Sequence, residues 1–190
     1  MPKAGVTDAQ HVVYTDHSIP RRARAAGGAS KDAALVAFGG GRASGRDLGL
    51  AYAIAGQPAR AVKLLEEAER KTPEDVEVLI YLAEIYRNGN QGDRAEALYR
   101  RALRLDGTHV TATVGLGAIL FQKGRFREAI PLWEGALSRN PGLDLTRTNL
   151  AMALWQAGDL RSAEATLVKG LELSPGFRPA AELLRRLRAR

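Results

Sequence analysis

VTATVGLGAILFQKGRFREAIPLWEGALSRNPGL, residues 110–143, decides the fold of this 190-residue chain. Small and large residues stand at fixed places in it: Leu116, Gly117, Leu120, Gly124, Ala129, Trp133, Ala136 and Pro141. One period upstream the same places hold Leu82, Ala83, Tyr86, Asn90, Ala95, Tyr99, Ala102 and Gly107. A further period back they hold Leu48, Gly49, Tyr52, Gly56, Ala61, Leu65, Ala68 and Pro73, and downstream Leu150, Ala151, Leu154, Gly158, Ala163, Leu167, Gly170 and Pro175. No insertion interrupts the phase between Arg42 and Phe177.

Each copy reads as two helices. On the first, a small residue (Gly49, Ala83, Gly117, Ala151) lets a partner helix approach closely. On the second, Ala61, Ala95, Ala129 or Ala163 marks the crossing point, with a large residue four places on and a small one three later, which is one face of a 3.6-residue helix. Neither helix can bury such a stripe alone, so neighbouring units must stack into a continuous core. Gly56, Asn90, Gly124 and Gly158 fall where a first helix should end in a left-handed residue. Thr72-Pro73, Asn140-Pro141 and Ser174-Pro175 read as a capping side chain followed by proline at the first helical position. Pro131 falls inside a second helix and should remove one backbone hydrogen bond.

The period and the pattern resemble the tetratricopeptide repeat family. The resemblance implies an all-α, right-handed α-solenoid. Four units are expected at 42–75, 76–109, 110–143 and 144–177, with residues 178–190 as a capping helix and residues 1–41 as an irregular arm. In that capping helix Leu183, Leu184 and Leu187 should cover the open end of the fourth unit while Arg185, Arg186, Arg188 and Arg190 face water.

The family lines its concave surface with the first helix of each pair. The face not used within a repeat presents Arg46 and Leu50, then Glu77, Ile80, Glu84 and Arg87, then Val114 and Phe121, then Thr148, Met152 and Trp155. The expected groove is polar near the second repeat and apolar towards Phe121, Met152 and Trp155. Two readings fit those three side chains: an anchor pocket for a peptide or partner helix, or packing against the next helix. Trp133 belongs to the core.

The opening MPKAGVTDAQHVVYTDHSIPRR, residues 1–22, resembles the segment after the last CxxCH motif of bacterial multihaem c-type cytochromes with C-terminal repeats of this family. There the methionine would follow directly on the haem-binding His. That resemblance implies His11 and His17 as distal haem ligands, with Arg21 and Arg22 facing propionates. The chain has no cysteine, so it holds no CxxCH, disulfide or zinc-thiolate set of its own, and haem c enters only if it is part of a longer cytochrome. Read without the resemblance, the two His are polar residues of a tail, too few for a closed metal site.

The net charge of +7 is uneven: +2 over residues 1–41, +1 over 42–177 and +4 over 178–190. A nearly neutral body with basic ends puts protein or peptide binding ahead of nucleic acid. No run of about 18 apolar residues suggests a membrane span, and no secretory signal pattern is present. The expected compartment is periplasmic for a cytochrome fragment and cytoplasmic otherwise. No nucleophile with a base, phosphate loop or metal-ligand cluster appears, so the expectation is a non-catalytic scaffold.

Overall fold

The computed structural model describes residues 43–189. Among them nine helices follow one another: α1 Gly45–Ile54, α2 Pro58–Lys71, α3 Val76–Asn88, α4 Gly92–Leu105, α5 Val110–Gln122, α6 Phe126–Arg139, α7 Asp144–Gln156, α8 Leu160–Leu173 and α9 Arg178–Arg188. The helix starts from α2 onward keep the 34-residue step, and α9 begins where the first helix of a fifth unit would. No strand occurs among the described residues.

Within each pair, helices meet at the small-against-large contact. A Cβ added to Gly49 would lie 2.9 Å from Leu65, and one added to Gly117 would lie 2.5 Å from the Trp133 indole nitrogen. Ala83 and Ala151 are fully buried at the same place, where Tyr99 and Leu167 are the opposing residues. The indole N–H of Trp133 donates to the Val114 carbonyl at 3.2 Å, which satisfies the one polar atom of the largest buried side chain. Tyr99 also reaches across to the next unit: a Cβ on Gly115 would stand 2.6 Å from its hydroxyl oxygen. Glycine at 115 therefore makes room for the preceding repeat.

The first helices end as expected. Gly56, Gly124 and Gly158 have φ of 69°, 74° and 91°, and Asn90 takes φ 58° in the second unit. The residue after each donates its N–H back to a carbonyl in the last turn, as Arg125 does to Leu120 and Asp159 to Leu154.

The inter-repeat turns differ from the expectation. Pro73, Pro141 and Pro175 are not at a first helical position. They sit one residue into four-residue turns, where their fixed φ suits a turn's second place. Thr72, Asn140 and Ser174 are C-caps of α2, α6 and α8. The N-caps with a side-chain bond are instead Ser44, Asp75 and Asp159. Pro131 lies in a continuous α6, exposed, with its neighbour Ile130 half-buried on the core.

Each first helix touches the first helix of the next unit (α1–α3, α3–α5, α5–α7, α7–α9), whereas the backbones of successive second helices stand apart. The first helices thus form the inner layer of a curved stack and the second helices a spread outer layer. α9 closes the far end on α7 and α8: Leu184 is buried with Ala151, Leu167 and Ala180, Leu183 is half-buried beside them, and Leu187 packs half-buried against the main core. Arg185, Arg186 and Arg188 are exposed, and Arg188 pairs with Glu164 of α8 at 2.6 Å.

Polar seams bind the outer layer. Glu96 on α4 accepts from Lys123 at 2.7 Å and Arg125 at 2.9 Å, which flank the turn between α5 and α6, and from Arg100 at 2.9 Å. Burial alone would raise its carboxyl. The bonds from Lys123 and Arg100 and their charges outweigh that and hold it at about 2. Arg101 likewise joins Glu69 at 2.5 Å and the Pro73 carbonyl at 2.7 Å.

Gly117→Ala is expected to destabilise by about 1–3 kcal/mol in urea unfolding, the cost of overpacking against Trp133 exceeding the roughly 1 kcal/mol helix gain. Gly45→Ala, with no described residue nearer than 3.9 Å, should be neutral or stabilising. Because the Glu96 carboxyl sits below its ordinary value, its stabilising effect is fully present above about pH 4.5 and is lost as pH falls towards 2. Glu96→Gln should lower stability at pH 7 by on the order of 1 kcal/mol. The gap to wild type should close by pH 2, and a gap independent of pH would reject this account.

Candidate functional site

The inner layer divides into a polar half and an apolar half, and the two differ in what their side chains have left to offer. In the polar half the charged groups are committed to one another. Arg46 on α1 binds the Asp75 carboxylate with Nε and Nη2 and reaches Glu77 at 2.8 Å. Asp75 meanwhile caps α3 by accepting from the Val78 N–H at 3.2 Å. The Arg46 hydrogen bond, more than the capping bond, holds the Asp75 carboxyl below the usual carboxylate range. One unit on, Glu84 accepts from Arg87 at 2.5 Å and from the Tyr99 hydroxyl. Burial first, and the Glu84 carboxylate second, push the Tyr99 phenol well above its ordinary value. Arg46, Glu77, Glu84 and Arg87 are thus joined into two clusters.

Three groove expectations are corrected by burial. Leu50, Ile80 and Thr148 are buried. Successive first helices lie against each other, so residues at these register places are covered by the neighbouring unit instead of facing the groove. Thr148 turns its hydroxyl onto the Asp144 carbonyl of its own helix at 3.0 Å. Val114 is half-buried against the core.

The apolar half stays open. Phe121, Met152 and Trp155 are all half-buried, and with Gln156, Leu183 and Arg186 they line a cleft of about 520 Å³. The Phe121 ring stands edge-on to Phe126 at 5.2 Å between centroids and 5.9 Å from Trp133. Of the two readings open for Phe121, each holds for one side of the ring: it packs inward on the core and lines the cleft outward. α5 carries no charged residue, and on α7 the only charges are Asp144 at the first residue and Arg147, which is buried. Leu145 stands largely exposed on the same helix.

Leu183 and Arg186 come from α9, whose sequence pattern marks it first as a cap. The signal was the register itself, because Arg186 stands one period after Met152, and Leu183 one period after Asn149. The cap therefore continues the lining of the groove as well as closing the core. A second hollow of about 670 Å³ lies between the first two units, lined by Ala53, Val62, Tyr81, Glu84 and Ile85 among others.

His11, His17, Arg21 and Arg22 lie outside the described residues. Among the described residues no group of three or more His, Cys, Asp or Glu is placed to hold a metal ion, and no helix is long and apolar enough to cross a membrane.

A family model described as tetratricopeptide repeat matches residues 52–112 and 120–187, and a second of the same description matches 86–144. Cellulose synthase operon protein C of Pseudomonas fluorescens (strain SBW25) is 32% identical over 129 residues, which is 64% of this chain and 10% of that protein. Tetratricopeptide repeat protein 21A of Mus musculus is 30% identical over 123 residues, 62% of this chain and 9% of that protein. The chain therefore spans about a tenth of the length of these relatives. Among solved structures, MamA AMB-1 superposes with a TM-score of 0.70 at 27% identity, covering 75% of this chain and 78% of that one. MamA 41-end from Desulfovibrio magneticus RS-1 gives 0.71 at 21% identity, covering 76% and 82%, a likeness of fold.

The closed clusters of the polar half predict a stability effect there. Asp75→Ala removes a helix cap and the Arg46 partner together, and should cost about 1–2 kcal/mol in thermal or urea unfolding. Arg46→Ala in the same background should add little further, since the two act as one unit.

Proposed function

This chain belongs to the tetratricopeptide repeat family, and from that premise we propose that it is a non-catalytic scaffold that docks a protein or peptide segment in its concave groove. The observation that carries the reading is the open cleft of Phe121, Met152 and Trp155 beside a polar half whose charges are already paired. An aromatic or long aliphatic side chain entering that cleft would bury apolar area against three half-exposed residues and Leu183. Nothing charged on α5 would be stripped of water in the process. A central apolar pocket with a polar surround is the arrangement in which a few residues supply most of the binding energy. The paired residues Arg46, Glu77, Glu84 and Arg87 would then shape and hold the groove more than grip the partner.

The relatives named above are similar to this chain through their repeats, and a binding role carries over only at that level. The partner is recognised here by its chemistry: a segment with at least one large apolar side chain.

Selection from a random peptide library displayed on phage tests this reading. Peptides enriched on the wild-type chain should carry a shared aromatic or aliphatic anchor. Phe121→Ala or Trp155→Ala should weaken them about tenfold or more, the scale of an anchor residue. Arg87→Ala should change affinity far less. Enriched peptides that bind the Phe121 and Trp155 variants as tightly as wild type would sink the groove assignment.

A further inference from the structure

The fourth unit departs from the others at two places that answer each other. Gly45, Leu79 and Thr113 occupy one register position in the first three units, and the fourth has Arg147. Ala68, Ala102 and Ala136 occupy another, and the fourth has Gly170. A Cβ on Gly170 would stand 2.8 Å from the Arg147 Cδ, so the glycine makes the room that the arginine stem fills.

Arg147 is 7% exposed, and it is the one charged residue in the buried set of the described residues. Its Nη2 donates to the Pro141 carbonyl just past the end of α6, while its Nε is buried without a partner. No described carboxylate pairs with it, in contrast to the ion pairs along the second and third units. Burying a cation is costly unless an opposite charge or a full set of acceptors compensates it, and one carbonyl compensates only in part.

The surroundings indicate what would complete it. Because the α6 and α8 backbones stand apart, α7 is the floor of an open cleft of about 450 Å³ on the outer face. Arg147 lies in that floor beside Leu150, with Glu134, Leu137 and Ser138 on the α6 wall and Ala165, Thr166 and Lys169 on the α8 wall, so its polar groups stand in a largely apolar lining. The cleft is on the opposite face from the groove lined by Phe121, Met152 and Trp155. Its cations are Arg147 below and Lys169 at the rim, and its one carboxylate is Glu134, which pairs with neither.

We propose that this outer cleft is a binding site for a single oxyanion, a carboxylate or a phosphate group, held by the Arg147 guanidinium from below and Lys169 from the rim. The guanidinium charge, with N–H donors beyond the one spent on the Pro141 carbonyl, suits an oxygen of either group. Glu134 opposes the ligand's charge and sets the affinity from the other wall.

The full chain, labelled with ¹⁵N, is titrated with inorganic phosphate and, separately, acetate, each against sodium chloride at matched ionic strength. Saturable shifts of the Ser138, Thr166 and Lys169 amides and the Arg147 Nε–H are expected. Lys169→Gln should weaken binding and Glu134→Gln should tighten it, each by roughly two- to fivefold, the scale of a partly exposed charge pair. Arg147→Met should abolish the shifts. Should that variant fail to fold, the two rim variants decide the matter, since both residues are exposed. Saturation by acetate alone assigns a carboxylate ligand, and saturation by phosphate alone a phosphate ester. Shifts that chloride reproduces, that do not saturate, or that keep wild-type affinity in both rim variants would overturn the proposal.

Discussion

The close approach of two helices at a small residue governs this structure. Where Gly117 meets Trp133, or Gly49 meets Leu65, the backbone of the first helix takes the place a side chain would fill. A large ring or isobutyl group then spends its whole surface on the neighbouring helix. At about 25 cal/mol per Å² of apolar area, that burial is the main favourable term available to a unit this small. The unit still leaves an apolar face uncovered, and only the next unit covers it. Stacking is thus a consequence of the contact within each pair.

The stack in turn determines what the inner face can do. Successive first helices lie against one another, so some residues that would line a groove are sealed between units, as Leu50, Ile80 and Thr148 are. Those that remain in view follow two fates. Where opposite charges came within reach, as in Arg46 with Asp75 and Glu77 or Arg87 with Glu84, they pair with one another. Where α5 and α7 offer no charge, the apolar side chains keep one side on the core and one side open. The capping helix extends this second region, because it inherits the register and so places Leu183 and Arg186 beside Trp155.

The outer layer obeys a different rule. Second helices spread apart, and the gaps are bridged by long charged side chains converging on Glu96 and Glu69. Between α6 and α8 the bridge is missing, and a buried guanidinium stands in the gap instead. The same geometry that tightens the inner face therefore leaves room for chemistry on the outer one.

The amino-acid sequence by itself determined the helices, their pairing and their period. Glycine, alanine and large apolar residues recur in one phase, and a left-handed glycine or asparagine marks each first-helix end. It also separated a polar from an apolar half of the inner face. Local pattern suffices there because each of these features depends on residues within one unit or its neighbour. The turns escaped it: Thr72, Asn140 and Ser174 read as N-caps yet close the preceding helices, since a capping residue followed by proline satisfies either role. Only the tertiary structure decided which inner residues stay accessible, which charges are spent on each other, and that Phe121 faces both core and cleft. Those outcomes depend on how far one helix slides over the next, a distance of a few ångströms that no spacing in the chain encodes. Arg147 shows the point most directly: by sequence it is one more arginine on a helix, and its burial without a carboxylate appears only when Gly170 is brought against it.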